Sequence, residues 1–226
     1  MSARTYLRAM WTVVRKDLLV EVRSKRVLST SLVFALLVVV AFAFGFAKSV
    51  SDLTVLGRGA LWIAFVFAGT ISVTQAVTAE NRDSAIDGLL LAPVDRTAIY
   101  FGKVASNTIF VASVSLLTLV AITVFLNYRP PVTMLAALTG TILVASLGFS
   151  AVGVVLALLA AQSNLRASLV PILLVPLVIP VLLAGVELTR LLSTGGDLTA
   201  WLRLLVAYTG ILLLAGMVVF EAVVAD

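Results

Sequence analysis

Long runs of apolar residues, separated by short polar stretches, dominate the pattern of the chain. Each run exceeds the roughly 18 residues that a helix needs to cross a bilayer. The breaks between the runs are rich in charged residues, glycine and proline, as expected at membrane surfaces. The pattern predicts an all-α integral membrane protein with six transmembrane helices. The predicted spans cover residues 28–47, 60–79, 104–126, 133–161, 167–186 and 201–224.

The composition supports this prediction and limits what else the chain can contain. Of the 226 residues, 62% are hydrophobic and 12% are charged, whereas soluble domains contain about 25% charged residues. Six helices of about 20 residues use about 120 residues, and the termini and connections take up the remainder. Residues 1–226 are therefore predicted to form a single transmembrane domain. The sequence contains no Gly-rich phosphate-binding loop, which excludes an ATPase domain on this chain.

The absence of two residue types excludes several kinds of chemistry. The chain contains no cysteine and no histidine, so disulfides, thiolate nucleophiles and the usual zinc and haem-iron ligands are excluded. No predicted span carries an ionisable residue at its centre, which an intramembrane enzyme would need. We therefore expect no catalytic residues, no metal site and no enzymatic activity of the chain by itself.

Basic residues are distributed unequally between the two sides of the predicted domain. With the odd-numbered connections outside, the positive-inside rule places both termini in the cytoplasm and the protein in the plasma (inner) membrane. A net charge of +5 then indicates anionic lipid rather than nucleic acid as the partner. The alternative of a signal peptide is disfavoured because the charged leader is too long. The outer residues are Lys48, Arg58, Arg129, Arg190 and Arg203. The inner residues are Arg4, Arg8, Arg15, Lys16, Arg23, Lys25, Arg26, Arg82, Arg96, Lys103 and Arg166.

The leader, residues 1–27, shows apolar residues at helical spacing. Steps of three and four residues are typical of an amphipathic helix, and cationic residues and a tryptophan favour a position in the cytoplasmic headgroup layer. The alternative is a positively charged anchor that only sets the topology. The apolar face of this predicted interfacial helix consists of Leu7, Trp11, Val14, Leu18 and Val22.

Residues 80–98 form a charged connection between the second and third spans. Ser84, followed three residues later by Asp87, fits the N-terminal cap of a short cytoplasmic helix. Dense mixed charge beside a membrane favours docking of a partner protein; the alternative is a solvated turn. The candidate docking residues are Glu80, Arg82, Asp83, Asp87, Asp95 and Arg96.

Three prolines fall within the fifth predicted span. Pro171, Pro176 and Pro180 each remove a backbone donor and favour a kink. This span is a candidate hinge. The alternative is a static bend whose free carbonyls are satisfied by neighbouring helices.

Four stretches of the sequence carry a resemblance to a known family. Residues 80–103 combine an acidic start with Leu-Leu-Leu-Ala-Pro-Val-Asp-Arg and a later Gly-Lys pair. Residues 59–62 read Gly-Ala-Leu-Trp, residues 174–182 contain Leu-Val-Pro-Leu-Val-Ile-Pro-Val-Leu, and residues 16–23 begin Lys-Asp-Leu. Together they resemble the haem exporter permease family, cytochrome c maturation protein B (CcmB).

The resemblance implies a membrane subunit of an ABC transporter of the ABC-2 type. Residues 80–98 are then the coupling segment for a separate, CcmA-like ATPase subunit, which binds the ATP, with two copies of each subunit. A haem-handling membrane protein and a periplasmic haem chaperone are further implied partners. ATP hydrolysis would drive release of the haem-loaded chaperone or haem transport, with no cofactor bound directly by this chain. The alternatives are an exporter permease for a lipid, polysaccharide or drug, and a membrane scaffold that transports nothing.

Overall fold

The computed structural model describes residues 3–46, 52–83, 95–162 and 169–225. The regular secondary structure in these residues is entirely α-helical. The helices, numbered in chain order, are α1 Ala3–Ser24, α2 Arg26–Gly45, α3 Leu53–Asp83, α4 Arg96–Phe125, α5 Val132–Gln162, α6 Leu169–Thr194 and α7 Thr199–Ala225. Six of them, α2 to α7, are long and apolar enough to cross a membrane. The predicted all-helical architecture with six spans is confirmed.

Several helices continue well beyond the apolar runs that predicted them. α3 begins at Leu53 although its apolar run begins at residue 60, and α4 begins at Arg96 rather than at residue 104. α6 ends at Thr194, eight residues after the predicted end at residue 186. Hydropathy marks the part of a helix that faces apolar surroundings, whereas i to i−4 hydrogen bonds also form through polar residues. These three helices therefore extend beyond the predicted spans, and the bounds of the spans themselves stay a prediction.

An Asp-x-Thr sequence caps the start of α3 and the start of α7. Asp52 Oδ1 accepts hydrogen bonds from the Thr54 amide at 2.9 Å and from the Thr54 hydroxyl at 2.7 Å. Asp197 Oδ1 accepts from the Thr199 amide at 2.9 Å. These side-chain and backbone bonds hold the pKa of both exposed aspartates below its usual range. The carboxylates also lie favourably at the positive end of each helix dipole.

α5 occupies the centre of the bundle. It packs against α3, α4, α6 and α7, and 78% of its most apolar 18-residue stretch is buried, against 22% for α2 and for α7. A helix that is apolar on all sides is expected in such a position. α5 is therefore the element through which a change in one span reaches most of the others.

Small residues allow close approach of neighbouring helices to α5. A Cβ at Gly153 would lie 2.4 Å from Val73 on α3, and one at Gly148 would lie 2.7 Å from the Thr209 hydroxyl on α7. Glycine is needed at both positions because real Cβ atoms do not come so close to other atoms. This close packing is typical of helix contacts in membranes.

Candidate functional site

The predicted docking residues at the start of the charged connection lie on the end of α3. Glu80, Arg82 and Asp83 belong to its last turn, since the helix runs to Asp83. Asp87 and the short helix predicted from Ser84 lie outside the described residues. The charged connection therefore begins inside α3, and its residues up to Asp83 are helical.

The other end of the charged connection opens α4. Asp95 has extended backbone angles, and its Oδ1 accepts hydrogen bonds from the Thr97 amide at 3.0 Å and from the Thr97 hydroxyl at 2.8 Å. It is the N-cap of α4, and Arg96 is the first helical residue; both are exposed. A displacement of the connection would act directly on the ends of α3 and α4.

The apolar stripe predicted on α1 is divided between two environments. Leu7, Trp11 and Val22 are exposed, by 57%, 62% and 64%, as a lipid-facing stripe would be. Val14 instead is 2% exposed and packs within the protein, and Leu18 is half-buried. α1 thus presents one apolar face to the rest of the protein and a second to its surroundings. The location of that second face in the headgroup layer stays a prediction.

The protein-facing side of α1 lies against α4. A Cβ at Gly102 would lie 2.8 Å from Val13 Cβ, so the two helix backbones are in close contact there. One turn further along α4, the Ser106 hydroxyl lies 3.2 Å from Asp17 Oδ2 on α1. Sequence periodicity did not single out Asp17, because its partner is 89 residues away.

A single residue joins α1 to α2. Lys25 separates the helices and adopts a left-handed conformation with φ of 52°, which is unfavourable for a residue other than glycine. Glu21 Oε1 accepts a hydrogen bond of 2.7 Å from the Leu28 amide. This amide is one of the first-turn donors that have no partner within a helix, so Glu21 caps α2 from the preceding helix.

The three prolines do not break α6. Pro171 lies in its first turn, and Pro176 and Pro180 lie inside the helix. The Tyr208 hydroxyl on α7 donates a hydrogen bond of 2.9 Å to the carbonyl oxygen of Leu177, between the two internal prolines. This bond joins α7 to α6 beside the prolines, whereas the carbonyls that Pro176 and Pro180 leave without a helical donor are those of Ile172 and Pro176. The hinge stays a prediction, and Tyr208 is a partner that the local sequence did not indicate.

A chain of polar side chains connects three spans. Ser72 on α3 donates to Asn107 Oδ1 on α4, and Asn107 Nδ2 donates to Ser150 Oγ on α5 at 3.0 Å. Ser72 lies 11 residues from Asp83, and Asn107 lies 11 residues from Arg96, which places each about 17 Å from that charged residue. The half-buried amide of Asn107 needs such partners in an apolar environment.

The tryptophan of the Gly-x-x-Trp stretch, on α3, contacts α6. Trp62 is 1% exposed, and its indole nitrogen donates to Thr189 Oγ1 at 3.0 Å. A Cβ at Gly185 would lie 2.2 Å from the indole ring. Phe65 packs edge-on against Trp62 at 5.2 Å between ring centroids, and against Phe149 on α5 at 5.6 Å. The ring stack therefore joins α3 to both α5 and α6.

Acidic side chains do not gather into a metal site in the part of the chain that the structure describes: no three of them lie close enough to hold an ion. Asp52, Asp95, Asp197 and Glu21 instead accept hydrogen bonds at helix starts. Their carboxylates therefore stabilise the fold.

Comparison with known proteins adds an identification to this geometry. The model of the family described as CcmB protein matches residues 8–225. The chain belongs to the CcmB protein family. It is also similar to heme exporter protein B of Rhodobacter capsulatus, with 25% identity over 181 residues, which cover 80% of this chain and 82% of the relative. The predicted family resemblance is confirmed.

The family match covers nearly all the features described above. Residues 8–225 include most of α1, the charged connection and all six apolar helices. Family membership and six helices long enough to cross a bilayer together make the chain a multi-pass membrane protein.

Proposed function

We propose that this chain is the membrane (permease) subunit of an ABC transporter complex that serves haem export and cytochrome c maturation. The observation that carries the proposal is the match to the CcmB protein family over residues 8–225. The name of the relative, heme exporter protein B, supports haem as the cargo of the complex. A separate CcmA-like ATPase subunit binds and hydrolyses ATP, and two copies of each subunit assemble in the inner membrane with both termini of this chain in the cytoplasm.

The ATPase acts on the bundle through residues 80–98. Its docking surface is Glu80, Arg82, Asp83, Asp87 and Arg96, whose mixed charge favours a specific complementary partner. The segment begins within the last turn of α3 and ends within the first turn of α4. This supports the assignment, because a displacement of either end of the segment moves a helix directly. Asp95 contributes chiefly by holding the first turn of α4.

Displacement of the segment reaches the interior through the contacts of α3 and α4 with α5. The hydrogen bonds of Asn107 tie these three helices together about 17 Å from Asp83 and Arg96. Packed helices move as rigid units, so α5 and its other neighbours follow. At the far side of the membrane this movement releases a haem-loaded periplasmic chaperone or passes haem outward.

Haem handling in this complex is shared with other subunits. A haem-handling membrane protein and the chaperone supply the iron ligands, because this chain has neither histidine nor cysteine. The subunit converts the energy of ATP hydrolysis into helix movement and performs no bond chemistry itself.

Reversing two acidic charges tests the docking surface. The double variant Asp83→Lys and Asp87→Lys should abolish co-purification of the ATPase and should also abolish cytochrome c maturation in cells, because like charges would then face each other. Membrane insertion should be unchanged, since the spans are untouched. Glu221→Lys, an exposed reversal near the end of α7, is the control and should retain the ATPase.

The same cells separate the alternatives. If the wild-type chain binds the ATPase, and the double variant has lost the ATPase but still supports normal cytochrome c maturation, the complex is an exporter of a lipid, polysaccharide or drug. Failure of the wild-type chain to bind an ATPase would indicate a scaffold. Retention of the ATPase by the double variant would contradict the docking surface alone.

A further inference from the structure

We propose that α1, the first three turns of α4 and the start of α2 form one rigid corner, in which Asp17 and Glu21 are positioning residues that pass a displacement of residues 80–98 to α2. The inference rests on the proposed function, because a partner must drive that segment. It assigns to α1 a mechanical role that is separate from its contact with lipid. The set of contacts that carries it is called the α1 corner below.

The first contact of the α1 corner is a hydrogen bond to a charged group. The Ser106 hydroxyl lies 3.2 Å from Asp17 Oδ2 and 2.9 Å from the Lys103 carbonyl oxygen of its own helix. Ser106 is 7% exposed, so water competes little for this proton, and a carboxylate is the stronger of its two acceptors. Asp17 therefore holds α1 to α4 eight residues after the charged connection ends.

The second contact is the close approach of the two backbones. Gly102 leaves room for Val13, and a Cβ at this position would also lie 3.1 Å from the Met10 carbonyl oxygen. Close-packed side chains and backbone transmit displacement because they have little room to deform. α1 and α4 therefore meet at two successive turns, which prevents rotation of one helix about a single point of contact on the other.

The third contact extends the corner to α2. Glu21 accepts from the Leu28 amide in the first turn of α2, and its negative charge lies at the positive end of that helix. The one-residue joint at Lys25 would by itself allow α1 to pivot against α2. The Glu21 bond closes this joint, so a shift of α4 is delivered through α1 to the start of α2.

A reversible disulfide distinguishes a rigid corner from a pivoting arm. The chain has no native cysteine, so cysteines at Asp17 and Ser106, whose side chains contact each other, are the only thiols of this chain that oxidation can join, and gel mobility checks that the disulfide has formed. In the reduced double variant Asp17→Cys and Ser106→Cys the hydrogen bond is missing, so cytochrome c maturation should fall although the ATPase still binds. Oxidation should restore it. Loss of the remaining activity on oxidation would overturn the proposal, as would wild-type activity in the reduced form.

A second measurement is independent of the ATPase. In inside-out vesicles, trypsin should cleave α1 at its exposed basic residues about tenfold faster in Asp17→Leu than in the wild type, because a hydrogen bond to a charged group is lost. Asp17→Asn keeps an acceptor but loses the charge, so its rate of cleavage should lie between those of the wild type and Asp17→Leu. Equal cleavage of Asp17→Leu and Asp17→Asn would overturn the rigid corner while leaving ATPase docking intact.

Discussion

The interior of the bundle and the ends of its helices are held together by different chemistry. In the interior, rings lie against glycines, as Trp62 does against Gly185, and the hydrogen bonds join neutral groups such as Asn107 and Ser150. At the helix starts the acceptors are carboxylates, including Asp52 and Glu21. A charge is costly where water is absent. The fit of side chains therefore determines which groups pair in the interior, whereas charge determines it at the helix ends.

The largest effect should come from breaking the shape complementarity of the interior. Gly185→Val places a side chain where the Trp62 ring lies, and overpacking of this kind costs about 1–3 kcal/mol of unfolding free energy. Gly210→Val is the matched control, because nothing lies within 4 Å of a Cβ at that position. Thermal unfolding of both variants in detergent measures the difference. An equal loss of stability in the two variants would mean that the effect of valine on the helix itself, and not its clash with the Trp62 ring, causes the loss.

A smaller effect should follow from breaking the neutral hydrogen bonds. Asn107→Leu removes the link between α3, α4 and α5, and we expect it to cost about 0.5–2 kcal/mol, since such bonds in membrane proteins contribute modestly. Ser113→Ala is the control, because that hydroxyl bonds only the Ile109 carbonyl of its own helix. Unfolding midpoints in detergent compare the two. A stable Asn107→Leu protein with normal cytochrome c maturation would show that α5 follows its neighbours by packing alone.

The spans could be predicted from the sequence, but most of the contacts between them could not. Long apolar runs fix the number of helices that must be buried in lipid, whatever their partners are. The periodicity of α1 likewise identified a helix, yet it placed Val14 on the same face as Trp11, whereas the structure buries the first and exposes the second. Which apolar residue meets protein depends on α4, distant in the sequence, and no local pattern encodes that.

The polar contacts show the same limit in a different way. The Asp-x-Thr cap occurs before α3, α4 and α7, and as a local motif it could have been found in the sequence. The cap formed by Glu21 could not have been found in this way, because its donor, the Leu28 amide, lies seven residues away on the other side of Lys25. The candidate docking residues at 80–96 stay a prediction, since their role depends on a partner protein. Local chemistry is readable from sequence, whereas contacts between helices require the fold.

The smallest effect should come from titrating one helix end. Two hydrogen bonds from Thr54 lower the pKa of Asp52, so its contribution to stability is complete above the usual aspartate pKa of about 3.9 and is lost as the pH falls through the lowered value. Asp52→Asn keeps an acceptor but does not titrate. The difference in unfolding midpoint between wild type and Asp52→Asn should therefore be constant from pH 7 to about pH 5 and shrink at lower pH. A difference that stays constant down to pH 2 would show that geometry alone, and not charge, makes this cap. The helix ends would then be held, like the interior, by the geometry of their hydrogen bonds rather than by charge.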